Sequence, residues 1–174
     1  MASRQSSLAA GVMLFDQGDE IMSLFLVLEG EVRLLRHQND GQISVLQRAG
    51  PGAVLAEASV FAERTHCSAR TTMRSRVGIV AMPILRQALA RDPALALAYA
   101  RHLSVEVRAA RTRAEILSLR GVAARLDSWL AEGRVLPPKG KRIGLAEEIG
   151  VSPEALYREI AKRRTKSELR ERAS

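Results

Sequence analysis

The chain has 174 residues, which is room for one medium domain or two small ones. Hydrophobic residues make up 47% and charged residues 26%, but aromatic residues only 3%, which excludes a stacking platform for single-stranded nucleic acid. The formal net charge is +8, and Lys and Arg outnumber Asp and Glu by 17 to 10 in residues 101–174, against 10 to 9 in residues 1–100. The C-terminal half therefore carries the positive charge, as a phosphate-binding module would.

Cysteine usage and apolar runs restrict the class of protein further. Cys67 is the only cysteine, so no disulfide framework or cysteine-based zinc site is expected, and a cytoplasmic setting is favoured. The apolar stretch at residues 8–15 lacks the features of a signal peptide, and no run approaches the ~20 residues that span a bilayer. No catalytic constellation is recognisable, so we expect no enzyme and no membrane partner.

Short apolar runs separated by turn residues occupy the region from residue 12 to about residue 80 and predict a β-roll or barrel. The predicted strands cover residues 12–15, 23–28, 31–36, 43–47, 54–55 and 77–82. Asn39, Asp40 and Gly41 lie between two of these runs and predict a hairpin, because these residue types tolerate the left-handed backbone of a tight turn.

The pattern becomes helical after Pro83. Ile84, Leu85 and Leu89 are expected on one face of a first helix, and a second, long helix is expected to begin at Pro93. Along this helix small and aliphatic residues recur at alternating steps of four and three, which predicts a dimerisation seam rather than packing within one domain. The seam begins at Ala96 and Ala100, and its predicted dimer contacts are Leu103, Val107, Ala110, Ala114 and Leu117. A shorter helix at residues 120–130 follows a break at Gly121.

The C-terminal region predicts a helix-turn-helix behind a Gly- and Pro-rich linker at residues 132–140. A helix over residues 145–149 and a turn at Gly150 precede a second helix, which opens with a capping serine, a first-turn proline and an early acid. The expected DNA contacts are polar residues of the second helix and its basic continuation: Ser152, Glu154, Tyr157, Arg158, Lys162, Arg163 and Arg164. A three-helix structural lid without DNA binding is the alternative.

Three segments together resemble the CRP/FNR family of bacterial transcription regulators, over about residues 12–164. They are FDQGD at residues 15–19, LVLEGEVRL at residues 26–34 and GAVLAEASVF at residues 52–61. The resemblance implies an α+β fold with an N-terminal β-roll of the double-stranded β-helix or jelly-roll type, a long dimerisation helix and a C-terminal helix-turn-helix. The expected domains are an effector sensor at residues 1–92, the dimerisation helix with the following short helix at 93–131, and a DNA-binding domain with a basic tail at 132–174. A homodimer that binds double-stranded DNA is implied, with RNA polymerase as a further partner.

The expected effector pocket departs from the cyclic-nucleotide binders that this chain resembles. In those proteins a glutamate, matched here by Glu57, takes the ribose hydroxyl, and an Arg-Ser or Arg-Thr pair neutralises the cyclic phosphate. Cys67 and Ser68 occupy the position of that pair, and Ala110 and Arg111 replace the residues that contact adenine. Loss of a charge-assisted phosphate contact costs about 1.5 to 3 kcal/mol, so we expect an effector other than cAMP unless Arg64 or Arg70 substitutes. The predicted pocket comprises Glu57, Ser59, Cys67, Ser68, Ala110 and Arg111.

Two alternative functions follow from the same departures. Cys67 beside His66 suggests a sensor that binds copper(I), ligates haem iron or is oxidised, but adjacent strand residues point to opposite faces, so a buried hydrophobe beside a surface histidine is the other interpretation. In the family a β-hairpin wing follows the recognition helix, whereas residues 162–174 contain too few β-formers for one. A decayed regulator that acts through protein contacts is therefore the second alternative.

Overall fold

The computed structural model describes residues 4–171, with side chains described up to residue 165. It divides into two compact units, Met1–Ser104 and Val105–Ser174.

The first unit contains a β-roll of two four-stranded antiparallel sheets. One sheet has the order β1-β8-β3-β6 and the other β2-β7-β4-β5. The strands are β1 (Arg4–Leu8), β2 (Met13–Phe15), β3 (Ser23–Glu29), β4 (Val32–His37), β5 (Ile43–Ala49), β6 (Val54–Leu55), β7 (Ser68–Thr71) and β8 (Ser75–Ala81). The predicted β-roll is confirmed, including the hairpin between β4 and β5, where the Gln38 N–H donates to the Gln42 carbonyl at 2.8 Å.

Alternation along the strands builds the core of the roll. Val27 on β3 and Val32 and Leu34 on β4 point inward, and Leu55, Ala69 and Cys67 complete a buried cluster between the two sheets. Successive strand residues face opposite sides of a sheet, so the residues that alternate with these inward ones lie on the outer face of the roll.

Two strands were not predicted from the sequence. β1 is mostly polar, and it exists because Arg4 to Leu8 pair in register with Ile79 to Ser75 of β8. β7 is four residues long and pairs with both β2 and β4. In both cases hydrogen bonds to a neighbouring strand, rather than an apolar run, define the element.

Helices follow the roll: α1 (Met82–Arg91), α2 (Pro93–Ser118), α3 (Val122–Ala131), α4 (Arg142–Glu148) and α5 (Pro153–Glu171). In α1 the buried residues are Met82, Leu85 and Leu89, whereas Ile84 is 43% exposed. The expectation for Ile84 is therefore wrong, because it lies two residues, roughly 200°, around the helix from Met82. The predicted start of α2 is confirmed, since the Asp92 carboxylate accepts the N–H groups of Ala94 and Leu95 at 2.9 and 3.1 Å.

The second unit has its own core, formed where α2 ends and α3, α4 and α5 meet. Its buried side chains are Ile116, Leu126, Trp129, Leu145, Ala146, Ile149 and Leu156. Short 3-10 helices also occur at Glu57–Ser59 in the first unit and at Lys139–Lys141 in the second.

Candidate functional site

The segment after β6 forms a tightly held turn in the roll. Ala56 has left-handed backbone angles (φ 66°, ψ 13°), the only non-glycine residue with positive φ in the described part of the chain. It leads into the Glu57–Ser59 helix, where Ser59 is buried. The Tyr99 hydroxyl from α2 donates to the Glu57 carbonyl at 2.5 Å. Tyr99, which the sequence analysis did not select, thus fixes the backbone of the predicted effector segment.

Ser68 is engaged with the loop that follows β2. Its hydroxyl donates to the Asp16 carboxylate and accepts the Gln17 N–H at 3.0 Å. The Asp16 carboxylate also accepts the Gln17 N–H at 2.8 Å, and the hydrogen bond from Ser68, followed by this one from Gln17, holds the pKa of Asp16 below its ordinary value. The hydroxyl of Ser68 therefore joins strand β7 to the loop after β2, a role that the sequence could not predict because it depends on the distant partner Asp16.

Cys67 and His66 lie in different environments. Cys67 is 3% exposed in the core of the roll, whereas His66 is on the surface. Burial, and then the nearby carboxylate of Glu57, raises the pKa of the Cys67 thiol to about 11. Among the residues that the structure describes, no group of three or more His, Cys, Asp or Glu side chains could hold a metal ion. This environment favours the neutral thiol over the thiolate that binds metals or reacts with oxidants.

The other predicted pocket residues belong to the second unit, and the two substitute arginines belong to the roll. Ala110 and Arg111 are exposed on the part of α2 that belongs to the second unit. Arg64 donates to the Gly18 carbonyl at 2.7 Å, and Arg70 donates to the Gly11 carbonyl at 3.0 Å. Both guanidinium groups are thereby tied to loop backbone of the roll.

The predicted dimerisation seam is open to solvent along the second half of α2. Val107 is 47% and Leu117 37% exposed, and Ala110 and Ala114 are also exposed, while Leu103 is half-buried. The buried residue of this stretch is instead Ile116, which joins the core of the second unit. The seam is thus a surface strip of small and aliphatic side chains on a 26-residue helix.

Helices α4 and α5 are joined by a short turn that the sequence analysis predicted. Gly150 has a φ of +65°, and the Val151 N–H donates to the Ala146 carbonyl at 2.9 Å. The Ser152 hydroxyl then accepts the Ala155 N–H at 3.2 Å and so caps α5. The start of α4 lies earlier than predicted, at Arg142, because the linker ends in a 3-10 turn that runs directly into the helix.

Two of the predicted DNA contacts are used within the second unit. Arg163 donates to the Asp127 and Glu159 carboxylates at 2.6 and 2.7 Å. The Tyr157 hydroxyl donates to the Lys139 carbonyl at 2.6 Å. The other predicted contacts on or just before α5 are exposed, namely Ser152, which also caps the helix, Glu154, Arg158, Lys162 and Arg164.

Comparison with known proteins identifies the first unit. Residues 5–92, 88 of the 174 residues, match the family model of the cyclic nucleotide-binding domain. The chain therefore belongs to the cyclic nucleotide-binding domain family, and this part of the sequence prediction is confirmed.

Solved structures share the fold over nearly the whole chain. FixK2 from Bradyrhizobium japonicum is 20% identical, with a TM-score of 0.76 over 96% of this chain and 87% of that chain. The c-di-GMP responsive global regulator CLP from Xanthomonas campestris is 21% identical, with a TM-score of 0.69 over 95% of this chain and 88% of that chain. At these identities the likeness shows the fold.

A curated relative matches over a short segment only. Lysophospholipase nte1 from Neurospora crassa is 40% identical over 62 residues, which are 36% of this chain and 4% of that enzyme. The chain thus spans 4% of the length of this relative, and the match carries no lipase activity to it. No helix in the described part of the chain has the length and apolar character needed to cross a membrane.

Proposed function

We propose that the chain is a homodimeric, DNA-binding transcription regulator of the CRP/FNR type, located in the cytoplasm, whose β-roll senses an effector other than cAMP. The observation that carries this proposal is the capped helix α5, which follows a glycine turn and presents Arg158 and Lys162 to solvent. In a helix-turn-helix, the second helix enters the major groove with its first turns toward the bases. The fold shared with CLP, described as a regulator of virulence gene expression, supports the same proposal.

The proposed DNA contacts divide into base readout and phosphate attraction. Arg158 lies four residues after Glu154, on the same face of α5, and its guanidinium can donate two hydrogen bonds to guanine. Glu154 can accept from cytosine N4. Lys162 and Arg164 lie further along the helix, where it rises toward the phosphates. Arg163 is assigned instead to holding α5 on α3 through Asp127.

The proposed dimer forms through the open seam on α2. Small side chains at Ala110 and Ala114 allow two helices to approach closely, while Val107 and Leu117 supply apolar contact. Two α5 helices related by a two-fold axis would then meet two half-sites of a palindromic operator.

The proposed effector differs from cAMP because Ala110 and Arg111 stand where the cyclic-nucleotide binders that this chain resembles contact adenine. In addition, Cys67 replaces the arginine that binds the cyclic phosphate in those proteins, and Arg64 and Arg70 are bound to backbone carbonyls. Isothermal titration calorimetry with cAMP is the direct test. No binding at micromolar concentration is expected, and micromolar affinity with enhanced DNA binding would refute this part of the proposal.

A mobility shift with the DNA upstream of the protein's own coding region tests the regulator function itself. A retarded complex that survives competitor DNA supports the proposal. Failure to bind while the protein is folded and dimeric would favour a decayed regulator that acts through protein contacts.

A further inference from the structure

Arg36 lies on the inner face of the β-roll. Along β4, Val32 and Leu34 are 0% and 7% exposed in the core between the sheets, and strand alternation places Arg36 on the same face. It is exposed, because it lies next to the last residue of the strand. A charged side chain thus continues an inward-facing apolar row at the end of β4.

The strand register places Arg36 beside Cys67. β4 and β7 pair Leu34 with Ala69 and Leu35 with Ser68. One step further along, this register leads from Arg36 to Cys67, the residue just before β7, and the charge of Arg36 acts on the Cys67 thiol. On its other side Arg36 pairs with Ser44 of β5. Directly opposite residues of antiparallel strands share a face, so the guanidinium of Arg36 on β4 and the hydroxyl of Ser44 on β5 lie on one face, next to the segment that holds the Cys67 thiol.

The guanidinium of Arg36 has no partner of its own. Among the side chains that the structure describes, residues 4–165, it forms no ion pair and donates no hydrogen bond. On the same sheet, Arg33 and Arg48 both lie near Glu31, with Arg48 Nη2 at 2.7 Å from its carboxylate. Arg36 therefore keeps all five N–H donors available for a ligand.

Charges of both signs reach the thiol in this row. The positive charge of Arg36 lowers the pKa of Cys67, which opposes the stronger effects of burial and of Glu57. The charges of Arg36 and Glu57 thus both act on the same inward-facing residue, Cys67.

We propose that Arg36 is the anion-binding group of the effector site, and that the effector carries an oxyanion, either phosphate or carboxylate, which the Arg36 guanidinium holds in a fork of two hydrogen bonds. The inference rests on the proposed sensor function of the roll and names the chemical class of its effector. A planar guanidinium matches the spacing of two oxyanion oxygens, which makes arginine the preferred residue for such recognition. The anion would be bound from strand β4, with the apolar core of the roll beneath it.

The test uses the full chain, labelled with ¹⁵N, and follows the Nε–H signals of its arginines by NMR. Inorganic phosphate and acetate are titrated separately at constant ionic strength, and Arg36→Lys identifies the Arg36 signal. The matched control is Arg74, an exposed arginine in the turn between β7 and β8. We expect a saturable shift of the Arg36 signal with at least one of the two anions and none at Arg74. The anion that saturates at lower concentration distinguishes a phosphate from a carboxylate effector.

Variants provide a second readout with the same two anions. Arg36→Gln should raise about tenfold the anion concentration needed for a given increase in melting temperature, because it removes a charge-assisted hydrogen bond. Arg74→Gln should leave this concentration unchanged. Arg36→Lys keeps the charge and should retain part of the effect. If the Arg36 signal moves no more than that of Arg74 under both anions, or if Arg36→Gln and Arg74→Gln respond alike, the proposal is refuted.

The result is separable from that of the regulator proposal. DNA binding is measured by mobility shift on the same preparations. A saturable Arg36 site without DNA binding would refute only the regulator function, and DNA binding without an Arg36 site would refute only the present inference.

Discussion

The guanidinium of Arg125 on α3 donates to the carbonyl oxygen of Gly150 at 2.7 Å, in the turn between α4 and α5. The same side chain donates to the carbonyl of Ile149 at 3.1 Å and to the carbonyls of Leu117 and Leu119, each at 2.9 Å. Carbonyl groups at helix C-termini lack partners within their helix. One arginine therefore joins the ends of α2 and α4 and sets how the helix pair α4–α5 is held within the second unit.

Arg125→Ala should lower the free energy of unfolding of the second unit by about 2 to 3 kcal/mol, because it removes hydrogen bonds from a charged donor to carbonyls at two helix ends. Urea unfolding followed by the fluorescence of Trp129, the only tryptophan of the chain, measures this change. Arg120→Ala, at an exposed position just before α3, is the control and should have little effect. Equal stability of the two variants would contradict the assigned function of Arg125.

Gly150→Ala should destabilise the same unit for a different reason. Its φ of +65° is left-handed, which costs an L-residue about 1 to 2 kcal/mol, and a Cβ there would lie 2.6 Å from Leu117 Cδ2. Gly140→Ala is the matched control, because a Cβ there meets nothing within 4 Å. The same fluorescence measurement should show a loss for Gly150→Ala alone, and a neutral result at both positions would refute the turn geometry.

The buried thiol of Cys67 predicts a pH dependence of stability. Its pKa is raised from 9.0 to about 11, so the unfolded chain loses this proton first as the pH rises. The contribution to stability is complete below pH 9 and is lost as the pH rises through 11. Between pH 8 and pH 10 the wild-type protein should lose about 1 kcal/mol more than Cys67→Ala in urea unfolding. Tyr99, whose pKa burial also raises, is present in both proteins, and parallel pH profiles would show that the thiol is not desolvated.

Val107→Glu should convert the proposed dimer to monomers, because it places like charges opposite each other along the two-fold axis of the proposed seam. Light scattering coupled to size-exclusion chromatography measures the mass. Val105→Glu introduces the same charge on the same helix at a 63% exposed position outside the seam and should remain dimeric. A monomeric wild-type protein at micromolar concentration would show that the seam does not mediate dimerisation.

The sequence was most informative where periodicity or turn chemistry determines the structure by itself. The strands β3 and β4, the start of α2 at Pro93 and the cap of α5 at Ser152 were all predicted from local pattern. Contacts between distant segments were not predictable in this way. The pairing of β1 with β8, the bond from Ser68 to Asp16 and the carbonyl contacts of Arg125 each depend on a partner that only the folded chain brings close.

In the candidate sites, too, local pattern was predictable from the sequence and contacts between distant residues were not. A run of basic residues at 162–164 predicts phosphate attraction, but it does not show that Arg163 is bound to Asp127 and Glu159. Likewise, Arg36 follows a strand pattern that any surface arginine could share. It became a candidate only when the register placed it beside Cys67 on the inner face.

The most direct test of the regulator function compares the wild-type protein with Arg158→Ala and Arg163→Ala in fluorescence anisotropy, using the protein's own upstream DNA and a scrambled duplex over a range of salt concentrations. We expect the wild-type protein to prefer the upstream duplex and to bind more weakly as the salt concentration rises. Arg158→Ala should lose about 1 to 3 kcal/mol of that preference, whereas Arg163→Ala should lower stability and leave the preference intact. Equal affinity of the wild-type protein for both duplexes, or an unchanged preference in Arg158→Ala, would contradict the account.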